Sequence, residues 1–206
     1  MRKFLVALLI IFLLVWCFFS FNKKSTTNQV KNVEAENTIN IINSWFPKNS
    51  SKYSDIGIPL TSQSAILVDY DTGDVIFAKN AQDKHPGAST IKIMTALVAL
   101  DNKKLSDVFT VSKKAAEVGE DTMGLTEGEK VNFEKLLYGL MLPSGNDAAV
   151  TIAENVSGSE DSFVMAMNKK AQELGMRNTK FINASGLDVD DETQYTTSYD
   201  MAILAH

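Results

Sequence analysis

The sequence predicts an α+β domain set behind an apolar N-terminal leader, and three observations carry that reading. Residues 64–79 hold two runs of strand-forming residues joined by a turn. From Ser89 onward the chain reads as a succession of helices separated by glycine, proline and small polar residues. Ahead of both, Phe4 to Phe21 form the stretch FLVALLIIFLLVWCFFSF, in which Ser20 is the only polar side chain.

As a helix that stretch would reach about 27 Å, close to the thickness of a bilayer's hydrocarbon core. Arg2 and Lys3 precede it, and Lys23 and Lys24 follow. No A-x-A pattern follows closely, which favours a retained anchor over a cleaved signal peptide. Residues 1–24 are therefore expected to be a signal peptide or membrane anchor that places the rest of the chain on the extracytoplasmic face. Residues 25–62 are rich in Asn, Ser, Thr and Lys and read as a linker. Its apolar patch around Ile39, Ile41, Ile42, Trp45 and Phe46 could dock on the domain or on the membrane. The domain itself is expected over 63–206.

Composition excludes several functions. The 20 basic residues fall to 18 once Arg2 and Lys3 are set aside, against 25 acidic ones. An acidic domain argues against nucleic acid as a partner. The single cysteine, Cys17, lies inside the apolar run, so neither an intramolecular disulfide nor a cysteine zinc site is available. The two histidines, His85 and His206, read as structural or surface residues, which leaves a Ser-His-Asp triad without a ready base. The acidic run Asp188 to Glu192 lacks the spacing of an EF-hand loop. No metal and no organic cofactor is expected.

Within the domain, Ser64 to Tyr70 (SAILVDY) and Val75 to Lys79 (VIFAK) read as a hairpin around the turn Asp71-Thr72-Gly73-Asp74. Pro86-Gly87 breaks the chain. A helix is expected from Ser89 to about Leu100, apolar on nearly all sides after Lys92 and hence buried. Further helices are expected at 112–118, 132–142, 146–156, 160–174 and 197–206, with Gly175 as a helix stop. No other strand is evident, and two strands alone make a marginal sheet.

Two short motifs carry chemistry. In Ser89-Thr90-Ile91-Lys92 the first and last residues share a helical face. Desolvation lowers a lysine's pKa, so a neutral Lys92 could take the Ser89 proton and activate a serine nucleophile without histidine. The bland alternative is a helix N-cap beside a solvated lysine. In Ser144-Gly145-Asn146 a hydroxyl and an amide leave one turn together, suited to proton relay and to holding a substrate amide. In isolation a plain turn is the better reading. Neither pattern is specific, since Ser20-Phe21-Asn22-Lys23 matches both.

The motifs sit in order within longer stretches: AILVDYDTGDVIFAKNA, GASTIKIMTALVAL, LLYGLMLPSGNDAAVTIAE, MNKKAQELGMRNTKFINASGLD and TTSYDMAILA. Over residues 62–206 the sequence resembles the low-molecular-weight penicillin-binding proteins of the D-alanyl-D-alanine carboxypeptidase kind. S-x-x-K, S-D-N and K-T-G are the signature of the wider group. The resemblance implies a β-lactamase/transpeptidase-like domain that removes the terminal D-alanine of peptidoglycan stem peptides and is acylated by β-lactams. It implies Ser89 as nucleophile, Lys92 as its general base, Ser144 as proton relay and Asn146 as a substrate-binding residue, with the Ser89 backbone N–H as half of an oxyanion hole.

The third motif does not occur in these residues. The resemblance places it on a strand beyond residue 206, in a part that would also supply most of the central sheet. The chain is therefore expected to be an N-terminal portion, and residues 22–206 alone are expected to turn over D-Ala-D-Ala peptides very slowly or not at all. A non-catalytic relative is the competing reading. A β-lactamase is disfavoured because Gly145 replaces the Asp of S-D-N and no E-x-x-L-N pattern is present.

Overall fold

A computed structural model describes residues 46–48, 59–188 and 194–206, all within one unit, Ile41–His206. The apolar run 4–21, and with it the anchor or signal reading, lies outside the described residues. So does the acidic run beyond Asp188. Among the described residues no helix is long and apolar enough to cross a membrane.

The hairpin forms as expected. Strand β1 (Ala65–Val68) pairs antiparallel with β2 (Val75–Lys79), with an irregularity between Leu67 and Val68. Its turn is closed by Asp69, whose side chain accepts from Thr72 N and whose carbonyl accepts from Gly73 N. Inside the stretch read as linker, Phe46–Lys48 packs on the domain. Pro47 is buried, Lys48 N donates to Gly73 O, Val75 N donates to Lys48 O and Tyr199 Oη donates to Pro47 O.

The first helix begins differently from its expectation. Residues Ala88–Ile91 form a single 3₁₀ turn, and the α-helix proper, α1, runs over Lys92–Asn102. Then come α2 (Lys113–Glu117), α3 (Phe133–Met141), α4 (Asn146–Ser157), α5 (Glu160–Leu174) and α6 (Ser198–Ala205). Their ends follow local chemistry. Ser112, Asn132, Ser159 and Thr197 each accept a backbone N–H as N-caps.

One expectation fails. A second antiparallel pair, β3 (Val108–Thr110) with β4 (Lys130–Asn132), stands where no further strand was evident. Three residues are too few to show a period of two, and their pairing is set by tertiary contacts across the intervening helix and loop.

The core lies where α4 meets α1, α2, α3 and α5. Helix α4 is buried from Asn146 through Ala153, and its alanines Ala148, Ala149 and Ala153 let neighbouring backbones approach. Phe133, Phe163, Phe181, Met94, Leu136 and Leu140 fill the space around it, each contributing about 1.5–3 kcal/mol by leaving water. Phe109 stacks on Phe133 at 5.1 Å. This packing fixes the N-terminal ends of α1 and α4 side by side, and both motifs sit at those ends.

Candidate active site

Three of the four residues singled out in the sequence meet at one atom. Lys92 lies on the first turn of α1 and is 2% exposed. Its Nζ is 3.0 Å from Ser89 Oγ, 2.9 Å from Asn146 Oδ1 and 2.7 Å from Ser185 O. Ser89 reaches it from the preceding 3₁₀ turn and is itself exposed. Asn146 reaches it from the start of α4 and is 3% exposed. Its Nδ2 donates to Gly119 O at 3.0 Å, which fixes the orientation of the amide.

The partners of Lys92 are of two kinds. Asn146 Oδ1 and Ser185 O can only accept, whereas Ser89 Oγ can accept or donate. A neutral amine has two N–H groups and one lone pair. It can satisfy both pure acceptors and take a proton from Ser89 with no rearrangement. Burial pulls the Lys92 pKa below its ordinary 10.5, opposed by the nearby carboxylates of Asp121 and Glu120. The geometry and the direction of that shift agree, and together they equip Lys92 to act as a base towards Ser89.

Ser144 stands differently. It precedes Asn146 by two residues, has a left-handed backbone with φ of 61°, and its hydroxyl is buried with no hydrogen-bond partner. Its Oγ bonds neither Ser89 nor Lys92. Among the described residues four non-glycine positions have positive φ. Three of them, Ala88, Glu120 and Ser144, border this site. Each costs on the order of 1–3 kcal/mol and is held only by its surroundings.

Sequence reasoning missed the far wall. The segment Asn183–Leu187 supplies the third partner of Lys92 through Ser185 O, and Thr95 Oγ1 donates to Ala184 O at 2.7 Å. Asn183 Oδ1 accepts from Gly186 N at 2.7 Å and so folds this segment back on itself. Gly186 has φ of 91°, and a Cβ there would collide with the Ala88 carbonyl. That glycine was the one readable signal of close approach. Also missed was Asp147, buried beside Asn146. Both histidines lie outside this cluster: His85 pairs its backbone with Thr196, and the His206 ring lies tilted against Tyr70. No group of three or more metal-ligating side chains occurs among the described residues.

Known proteins resemble the chain in sequence and in fold. The family described as D-alanyl-D-alanine carboxypeptidase, peptidase S11, matches residues 50–206. The D-alanyl-D-alanine carboxypeptidase DacF of Bacillus subtilis is 45% identical over 149 residues, covering 70% of this chain and 38% of its own. DacC of Escherichia coli is 40% identical over 150 residues, covering 68% of this chain and 37% of its own. The crystal structure of DacD from Francisella tularensis superposes with a TM-score of 0.70 at 35% identity, over 77% of this chain and 39% of that one. Penicillin-binding protein 5 of Haemophilus influenzae superposes with a TM-score of 0.67 at 33% identity, over 72% of this chain and 45% of that one. The chain thus spans less than half the length of these relatives, and over the matched residues its fold is that of the penicillin-binding proteins. It belongs to the D-alanyl-D-alanine carboxypeptidase family.

Proposed function

We propose that this chain carries the acylating centre of a serine-type D-Ala-D-Ala carboxypeptidase acting on peptidoglycan stem peptides. The observation that carries this reading is the buried Lys92 Nζ, bonded to the Ser89 hydroxyl and to two groups that can only accept. Neutral Lys92 takes the Ser89 proton as Oγ attacks the carbonyl carbon of the penultimate D-alanine. The proton then passes through the Ser144 hydroxyl to the amine of the departing D-alanine as the peptide bond breaks. Asn146 orients the acyl side of the substrate while holding Lys92. Water hydrolyses the resulting ester and returns the proton to Ser89. A β-lactam acylates the same oxygen because its strained amide occupies the place of that peptide bond.

Residues 1–24 serve in this reading as signal peptide or membrane anchor, 25–62 as linker and 63–206 as the catalytic portion, on the extracytoplasmic face. No Lys-Thr-Gly triplet occurs in the 206 residues. Rapid turnover is therefore assigned to chains that supply it, and acylation is the step these residues perform.

Incubation of the full chain with a β-lactam, followed by intact mass and peptide mapping, tests the reading. A single adduct on Ser89 that decays slowly is expected. An adduct elsewhere overturns the site. Stem-peptide binding without acylation marks the non-catalytic relative, and fast penicillin hydrolysis marks a β-lactamase.

A further inference from the structure

Asp147 follows the Ser144-Gly145-Asn146 turn and is 1% exposed. No cation among the described residues pairs with its carboxylate. Instead Oδ1 accepts from Met123 N at 2.9 Å and from Ala148 N at 2.8 Å, and Oδ2 accepts from Leu125 N at 2.9 Å and Met123 N at 3.1 Å. A buried carboxylate is stabilised by such charge-assisted bonds, and here they gather one loop, 119–125, onto the start of α4.

That loop holds Asn146 at two points. Gly119 O receives Asn146 Nδ2 at 3.0 Å, and Asp121 O receives Asn146 N at 2.8 Å. Asn146 in turn holds Lys92 Nζ. Glu120, between the two anchoring carbonyls, has φ of 63°, a conformation that persists only when its neighbours fix it. The joint is tightly packed. A Cβ on Gly145 would lie 2.8 Å from Asp147 Oδ1, 2.9 Å from Gly139 O and 3.2 Å from Met123 N.

We infer that Asp147 is a positioning residue for the Lys92 centre: its carboxylate clamps the 119–125 loop, and the loop sets the Asn146 amide that orients Lys92. Asp147 bonds neither Ser89 nor Lys92, so its effect on chemistry passes through Asn146. Because the acylation readout rests on the function proposed above, the test also reads the clamp directly.

In the full chain, Asp147→Asn keeps the shape but points an N–H₂ at backbone N–H donors. Amide hydrogen exchange at Met123, Leu125 and Asn146 is expected to speed up about tenfold or more, with Phe163 and Tyr195 unchanged. Acylation of Ser89 by a β-lactam is expected to slow about tenfold or more. The ¹³Cε resonance of Lys92 is expected to move. Unchanged loop amides overturn the inference. A loosened loop with acylation and the Lys92 resonance both unchanged makes Asp147 merely structural and overturns it as well. If the unaltered chain takes no β-lactam, the proposed function fails on its own. The Lys92 resonance then decides: moved supports the clamp and unmoved refutes it. If Asp147→Asn does not fold, Gly145→Ala presses on the same joint. It should loosen the same three amides, and an unchanged loop counts against the clamp.

Discussion

On one side of the site Lys92, Asn146 and Ser185 are at most 3% exposed, and Lys92 is tied to the other two by hydrogen bonds of 2.9 Å or less. On the other side Ser89 is exposed with its hydroxyl turned to Lys92, and the Ser144 hydroxyl has no partner. The difference separates two tasks. A base must keep a shifted pKa, which requires burial and fixed acceptors. A nucleophile and a relay must change partners as the proton moves, so binding their hydroxyls firmly would oppose the reaction. In the proposed mechanism the base side is fixed in advance by packing, and the hydroxyl side is left free to react.

Breaking the free side at its nucleophile has the largest expected effect. Ser89→Ala should reduce β-lactam acylation, followed by intact mass, to background, with thermal stability nearly unchanged. Breaking the fixed side should cost both properties. Lys92→Ala removes the base and leaves Asn146 Oδ1 and Ser185 O buried without their donor. Acylation should fall by a factor on the order of 10²–10⁴, and unfolding free energy in a denaturant titration by about 2–4 kcal/mol. Ser144→Ala separates the two sides most clearly. It deletes a buried hydroxyl that bonds nothing, so stability should hold or rise by about 1 kcal/mol, while acylation falls about 10²-fold or more. A matching loss of stability would show that Ser144 belongs to the fixed side.

The smallest effect sharpens the electrostatics. Asp121 and Glu120 raise the Lys92 pKa against the larger effect of burial. The pair Glu120→Gln with Asp121→Asn should therefore move the rising limb of the acylation–pH profile to lower pH. The stability linkage has the opposite sense from an ion-paired lysine. Between the depressed folded value and 10.5 the unfolded chain binds more protons than the folded one. Stability should rise with pH across that window, and should do so less in Lys92→Ala.

Much of this was legible from local pattern. The hairpin showed its two strand-forming runs and its turn residues, and the helices their approximate ranges and the stop at Gly175. Ser89 and Lys92 were legible because three residues of helix bring them together. Asn146 could be named but not joined to Lys92, because 54 residues separate them. Ser185 O was beyond reach, since a backbone carbonyl carries no mark in its own side chain. The same holds for β3 and β4, whose three residues pair only in tertiary context, and for the left-handed backbone of Ala88 and Ser144, which their residue types disfavour. Asp147 read as one more acidic residue at a helix start. Only the three amides aimed at it reveal what it does.

The most direct test of the serine–lysine pair is the rate of Ser89 acylation by a β-lactam as a function of pH, measured on the full chain with the adduct mapped at each point. The pair predicts that the adduct forms on Ser89 throughout. It predicts a rate that rises with pH to a plateau, with a midpoint below the ordinary lysine value of 10.5, and that this limb disappears in Lys92→Ala. A rate that does not depend on pH, a limb that survives loss of Lys92, or an adduct on another residue would contradict it.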